Sequence, residues 1–121
     1  MRFHFRWFLP LILMSLSASP AWSAAFDHDD WNTLLSKHVS WQRDGVASSV
    51  NYEGFAADRD ALSGYLSRLS ALRMDRFQAL NRSDRLAFLI NAYNAFTVEL
   101  ILRQDSRPDS IRDIGSIFSG P

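Results

Sequence analysis

Residues 81–104 read Asn81-Arg-Ser-Asp-Arg-Leu-Ala-Phe-Leu-Ile-Asn-Ala-Tyr-Asn-Ala-Phe-Thr-Val-Glu-Leu-Ile-Leu-Arg-Gln104, the longest helical signal in the chain, without Gly or Pro. Asn81 suits an N-cap, with Asp84 three residues on. Asp84 opens the helix and Arg103 sits in its last turn, as the helix dipole favours. Pro108 lies beyond it and cannot continue it. At roughly 100° per residue, Leu86, Phe88, Leu89, Ile90, Phe96, Val98, Leu100, Ile101 and Leu102 point nearly all round, which predicts a helix buried on every side. A membrane span needs about 20 predominantly apolar residues. Asn91, Asn94, Thr97 and Glu99 interrupt this run, so the pattern predicts the central helix of a soluble domain over about 82–104. Asn91 and Asn94 would then be core amides in need of hydrogen bonds.

Upstream, Phe55 to Leu72 reads as a helix with Phe55, Leu62, Leu66 and Leu69 on one face, and Met74 to Leu80 as a helical turn carrying Phe77 and Leu80. Val46, Val50 and Tyr52 alternate, predicting one short strand over Val46–Tyr52. Trp41 to Gly45 is a turn, with Asp44-Gly45 its sharpest signal. Phe26 to Val39 reads as the first helix, because Trp31, Leu34, Leu35, His38 and Val39 follow the i, i+3, i+4, i+7, i+8 spacing. Asp27, Asp29 and Asp30 crowd its first turn, again on the favourable side of the dipole. The fold class is mainly α in this chain and α+β in the intact domain, with flanking helices and one short strand.

The first 23 residues stand apart. Arg2 and Arg6 flank an apolar run, Phe8 to Leu16, too short to span a bilayer, and Ala21-Trp22-Ser23 fits a small-x-small cleavage site. The expectation is a signal peptide over 1–23, cut between Ser23 and Ala24, with Ser23-Ala24-Ala25 as a second register. The product would be periplasmic or secreted, with no stable membrane insertion once the leader is gone. Without Cys there is no acylation site, no disulfide framework, no thiolate metal site and no cysteine nucleophile within the chain. Cations and acids balance at 13 each, so charge gives no sign of nucleic acid as a partner.

Downstream, Asp109 to Ile114 suggests a short helix. Ile111, Ile114, Ile117 and Phe118 form an apolar set with no later segment to pack against. The single strand also lacks a partner, and an isolated strand leaves its backbone groups unpaired. Both features predict that residues 24–121 are the N-terminal part of a larger domain, and self-association is the expected consequence of such truncation.

Leu86-Ala-Phe-Leu-Ile-Asn-Ala-Tyr-Asn-Ala95 resembles the domain-of-unknown-function 547 family in its secreted bacterial branch. The stretches Phe26-Asp27-His28 with Trp31, Leu34 and Leu35, Val50-Asn-Tyr-Glu-Gly-Phe55 with Leu62, Tyr65 and Leu66, and Ser110-Ile-Arg-Asp-Ile-Gly115 support the resemblance in order along the chain. Ser119-Gly120-Pro121 fits the pattern poorly. The resemblance implies later strands and a His- and Cys-bearing segment in intact members, some of which are compared with papain-like or transglutaminase-like folds. A thiol hydrolase or transferase activity would belong to such a member. For this chain the expectation is an exported domain without catalytic activity of its own; the alternative is a binding or structural module.

Among candidate sites, Asn91, Tyr93 and Asn94 form a polar shelf. It would either orient a catalytic group or, the reading favoured here, tie loops to the central helix through buried amides. His28 and His38 with Asp27, Asp29 and Asp30 lack the spacing of a helical metal-ligand pair, so no metal or cofactor is expected there. Ser48, Ser49, Ser116 and Ser119 lie in no nucleophile elbow and read as turn residues. Glu99 would be either a perturbed base or, as favoured, the partner of Arg103 four residues on.

Overall fold

The computed structural model describes residues 24–105. The expected signal peptide with its cleavage site at Ser23, and the short helix and apolar set expected after Asp105, therefore lie outside the described residues. Helix α1 (Asp29–His38) starts where the Asp27 carboxylate accepts the Asp29 N–H, at 2.8 Å. It buries Trp31 and Leu34, with Leu35 half-buried beside them, on the stripe that the spacing predicts. Phe26 precedes the helix and packs edge-on against Phe88.

The predicted unpaired strand has a partner. Strand β1 (Val39–Trp41) follows α1 directly and pairs antiparallel with β2 (Ser48–Val50), in the register Val39↔Val50, Ser40↔Ser49, Trp41↔Ser48. Between them the Val46 N–H bonds the Asp44 carboxylate, and Gly45 takes φ +67°. Glycine alone adopts that region without a Cβ penalty, so Asp44-Gly45 is the turn. Ser48 and Ser49 are strand residues, not turn residues. The alternation of β1 is only three residues long and abuts a helix, and Val39 also satisfies helical spacing, which is why the partner is hidden in the sequence.

The expected helix over Phe55–Leu72 is two helices, α2 (Tyr52–Ala57) and α3 (Arg59–Ala71), joined at Asp58. Asn51 caps α2 through the Gly54 N–H. Phe55, Leu62, Leu66 and Leu69 are buried as the pattern predicts, together with Tyr65. Helix α4 (Met74–Ala79) follows, and Leu80 is buried after it. Helix α5 (Arg82–Leu102) is capped by Asn81, whose side chain accepts from the Asp84 N–H and donates to its carboxylate. The described fold is thus mainly helical, with one two-stranded hairpin. Its core joins Trp31 and Leu34 of α1, Phe55 of α2, four residues of α3, and Ala95 and Val98 of α5.

One further expectation is corrected here. Helix α5 is not buried on every side: among its residues only Ala95 and Val98 are buried. Leu86, Leu89, Ile90, Tyr93 and Phe96 are exposed, by between 45% and 70%. At 100° per residue these five fall within about 120° of one another, opposite Ala95. The helix has two apolar faces, and the described residues cover one.

Candidate functional site

The predicted polar shelf divides across α5. Tyr93 lies in the middle of the exposed stripe and is 70% exposed. Asn94 beside it is exposed, whereas Asn91 is half-buried toward the inner face. Neither amide hydrogen-bonds another side chain or backbone group among the described residues. The shelf is therefore not a set of buried, satisfied amides, because the apolar stripe beside it is uncovered. Leu86, Leu89, Ile90, Tyr93 and Phe96 recur at the i, i+3, i+4, i+7 spacing of a docking helix. Arg82 and Arg85 flank the start of this stripe, and among the described residues neither has an ion-pair partner.

Glu99 marks the stripe's C-terminal end. Its Oε1 accepts from Arg103 Nε at 2.8 Å, the predicted i,i+4 pair, and also from Arg59 Nη2 at 2.9 Å. Arg59 donates onward to the Leu102 carbonyl, so α3 holds the last turn of α5 by its carbonyl end, where a cation is favoured. Burial alone would raise the Glu99 pKa, but the hydrogen bonds from Arg103 and Arg59 outweigh it and hold the carboxyl below its usual value. The second oxygen, Oε2, is buried and has no hydrogen-bond partner among the described residues. Glu99 also lines an open hollow of about 310 Å³ together with Phe96, Leu100 and Arg103.

Both described histidines are tied into packing. His28 Nδ1 and the Tyr65 hydroxyl share a hydrogen bond of 2.7 Å. Tyr65 stacks on Trp31 with centroids 5.8 Å apart and planes 6° from parallel. The Arg68 guanidinium lies 5.6 Å from the Tyr65 ring and 5.8 Å from that of Phe26, a cation–π arrangement, and pairs with Asp30 at 2.8 Å. Burial pushes His28 below its ordinary value and the Tyr65 hydroxyl up to about 12.

His38 Nε2 meets Asp58 Oδ2 at 2.8 Å, and Lys37 reaches the same oxygen at 2.9 Å. A His–Asp pair is one part of a nucleophilic triad, but here the ring faces the backbone of Gly54, which approaches so closely that a Cβ at that position would collide with it. No nucleophile has room on that side. The pair locks the end of α1 onto the α2–α3 junction. The sequence shows no sign of it, since the partners are twenty residues apart in different elements. Asp27, Asp29 and Asp30 do not converge with the histidines, and no group of three His, Asp or Glu able to hold a metal occurs among the described residues.

Helix α5 is long and apolar enough to cross a membrane by length and composition alone. Its inner face nevertheless carries the Glu99–Arg59 pair and packs on α2 and α3, contacts that belong to a folded domain. In comparisons with protein-family models, with curated proteins and with solved structures, nothing matches this chain.

Proposed function

We propose that this chain is an exported, non-catalytic docking scaffold, the helical part of a domain of the domain-of-unknown-function 547 kind, which works through the outer face of α5. The observation that carries the reading is the stripe of Leu86, Leu89, Ile90, Tyr93 and Phe96, half or more exposed along most of its length. A contiguous apolar stripe of this kind is the usual mark of an interaction site. The engagement of His28, His38, Asp58 and Glu99 in contacts between elements favours a structural role over a reactive one. Export rests on the Arg2/Arg6 flank, the short apolar run and Ala21-x-Ser23.

The experiment is dye binding by the full chain. Leu86→Asp with Leu89→Asp should cut the fluorescence of a hydrophobic dye several-fold and leave the melting midpoint within about 1 kcal/mol of the parent's, as for surface substitutions. Unchanged dye binding would remove the docking face. For export, intact mass of material recovered outside the cytoplasm should give an N-terminus at Ala24 or Phe26; a product retaining Met1 would rule that part out.

A further inference from the structure

Charge is unevenly spread along the described residues. Residues 24–72 carry seven acids against four cations, and residues 73–90 carry four arginines against two acids. The basic stretch coincides with the head of the exposed apolar face. Met74 of α4 and Leu86, Leu89, Ile90 and Tyr93 of α5 are all more than half exposed. Met74, Phe77 and Leu89 line one shallow hollow, so α4 widens the α5 stripe sideways. We infer that this patch adsorbs to an anionic lipid bilayer, with α5 lying along the headgroup–acyl boundary and Arg82 and Arg85 on the lipid phosphates. The inference rests on the docking-face reading above and names the partner of that face.

Charge complementarity is the first argument. At 100° per residue, Arg82 points within about 20° of Tyr93 and Arg85 within about 80°. Both stand at the head of the stripe, and neither has an ion-pair partner among the described residues. The acids nearby are engaged or turned away. Asp75, next to Met74, is held by Arg73 through hydrogen bonds of 2.7 and 3.1 Å. Asp84 lies about 180° from Tyr93 and binds the Asn81 cap. Glu99 is taken by Arg59 and Arg103. The patch therefore presents apolar side chains beside uncompensated guanidinium groups, the composition of a helix that lies in a membrane interface. The arginine stems are long enough for the charged heads to reach phosphates while the stripe is covered.

Area is the second argument. The five side chains present on the order of 500 Å², taking roughly 150–250 Å² for a fully exposed aromatic and somewhat less for Leu, Ile or Met. That is short of the ~800 Å² per partner of a standard interface between two proteins. A second copy would bring the same face, which has no free acid to meet Arg82 and Arg85. A bilayer needs no matched surface and supplies phosphates along the whole stripe. Tyr93 sets the depth, because its hydroxyl stays at headgroup level when the apolar face sinks by about 5–10 Å. The Arg59–Glu99 pair keeps α5 on its domain, so the helix lies on the bilayer and does not cross it.

The absence of native Cys allows a site-resolved test in the full chain. Asn94→Cys, at the border of the patch, and Ser36→Cys, exposed on α1, are each labelled with a polarity-sensitive fluorophore. The vesicles are equimolar phosphatidylcholine and phosphatidylglycerol, with brominated acyl chains as quenchers. The label at position 94 should shift to the blue and be quenched, and the label at position 36 should not. An attached leader would bring both labels to the vesicle alike, so the contrast between them reports the patch. Arg82→Gln with Arg85→Gln should raise the lipid needed for half-quenching at position 94 by about tenfold or more, since each arginine near an anionic surface counts for about fivefold. Arg82→Lys with Arg85→Lys should keep the parent's value. Equal quenching at the two positions, equal binding to phosphatidylcholine alone, or no change in the Gln pair would overturn the inference. So would a dimer that forms in place of vesicle binding and that Leu86→Asp with Leu89→Asp abolishes, which would give the face to a second copy. Absence of quenching with the Leu86/Leu89 dye result intact removes lipid as the partner but leaves the docking face. Failure of the dye result removes the face itself.

Discussion

The two faces of α5 differ little in apolar content and entirely in surroundings. The inner face carries Phe88, Ala92, Ala95, Val98 and Leu102, all in the core or packed against it. The outer face carries Leu86, Leu89, Ile90, Tyr93 and Phe96, all exposed. The larger side chains are mostly outside. On the inner face, Ala92 and Ala95 are small enough to let α3 come close, and the bulk is supplied from the other side by Trp31, Tyr65 and Leu62. Hydrophobicity therefore does not choose the buried side of this helix; the availability of a shaped partner does.

The largest expected contrast follows directly. Trp31→Ala or Tyr65→Ala removes a fully buried ring from the stack and should destabilise the fold by about 3–5 kcal/mol. Leu89→Ala or Ile90→Ala on the other face should lie within about 0.5 kcal/mol of the parent. Denaturant midpoints measure both. Equal losses would mean that the outer face is covered.

Next in size is the contact behind His38. A Cβ at Gly54 would collide with the His38 ring and the Asn51 cap, so Gly54→Ala should cost about 1–3 kcal/mol, as overpacking does. Gly64→Ala, where nothing lies within 4 Å, should instead stabilise, by up to about 1 kcal/mol from helix propensity. Thermal melts of the pair would show opposite shifts; a shared direction would contradict the close approach at Gly54.

Acid should weaken the inner contacts before it touches the outer stripe, which holds no titratable group besides the Tyr93 phenol. His28 has a lowered folded-state pKa, so the unfolded chain binds its proton more tightly, and stability falls as pH drops below the ordinary value of 6.5. Asp58 and Glu99 are also lowered and add further loss below their ordinary values of 3.8 and 4.5. Tyr65 has the opposite sense. Its folded-state value is raised from 10.0 to about 12, so its contribution is complete below pH 10 and lost as pH rises toward 12. Stability measured against pH should therefore slope downward at both ends. In Glu99→Gln the acid slope below pH 4.5 should flatten, and an unchanged slope would mean that Glu99 is not the group responsible.

Much of the inner architecture was legible. Trp31, Leu34, Phe55, Leu62, Leu66 and Leu69 follow from spacing alone, because each lies on a helix with a single apolar stripe. The Asn81 cap and the Glu99–Arg103 pair follow from local offsets of three and four residues. What the sequence hides is non-local. The pairing of Val39–Trp41 with Ser48–Val50, the His38–Asp58 lock and the Arg59–Glu99 bridge join residues whose separation carries no signature. The outer face of α5 departs from its sequence pattern for a related reason: apolar residues all round imply burial all round only if every side has something to pack against.

The smallest effect tests the exposure of the outer face most sharply. With α5 buried on every side, Asn94→Leu would strand the partners of a core amide at a loss of about 1–3 kcal/mol. The structure places Asn94 in solvent, with no hydrogen-bond partner among the described residues to strand. Leu is the better helix former by a few tenths of a kcal/mol, so Asn94→Leu should leave the denaturant midpoint unchanged or move it slightly upward. It should also widen the apolar stripe and raise dye binding. Asn91, half-buried on the inner side, provides the internal comparison. Asn91→Leu enlarges a half-buried side chain and should destabilise modestly, by about 1 kcal/mol, in the range for adding volume to a packed site. A loss at Asn94 as large as at Asn91 would mean that the outer face is sealed as far as that residue.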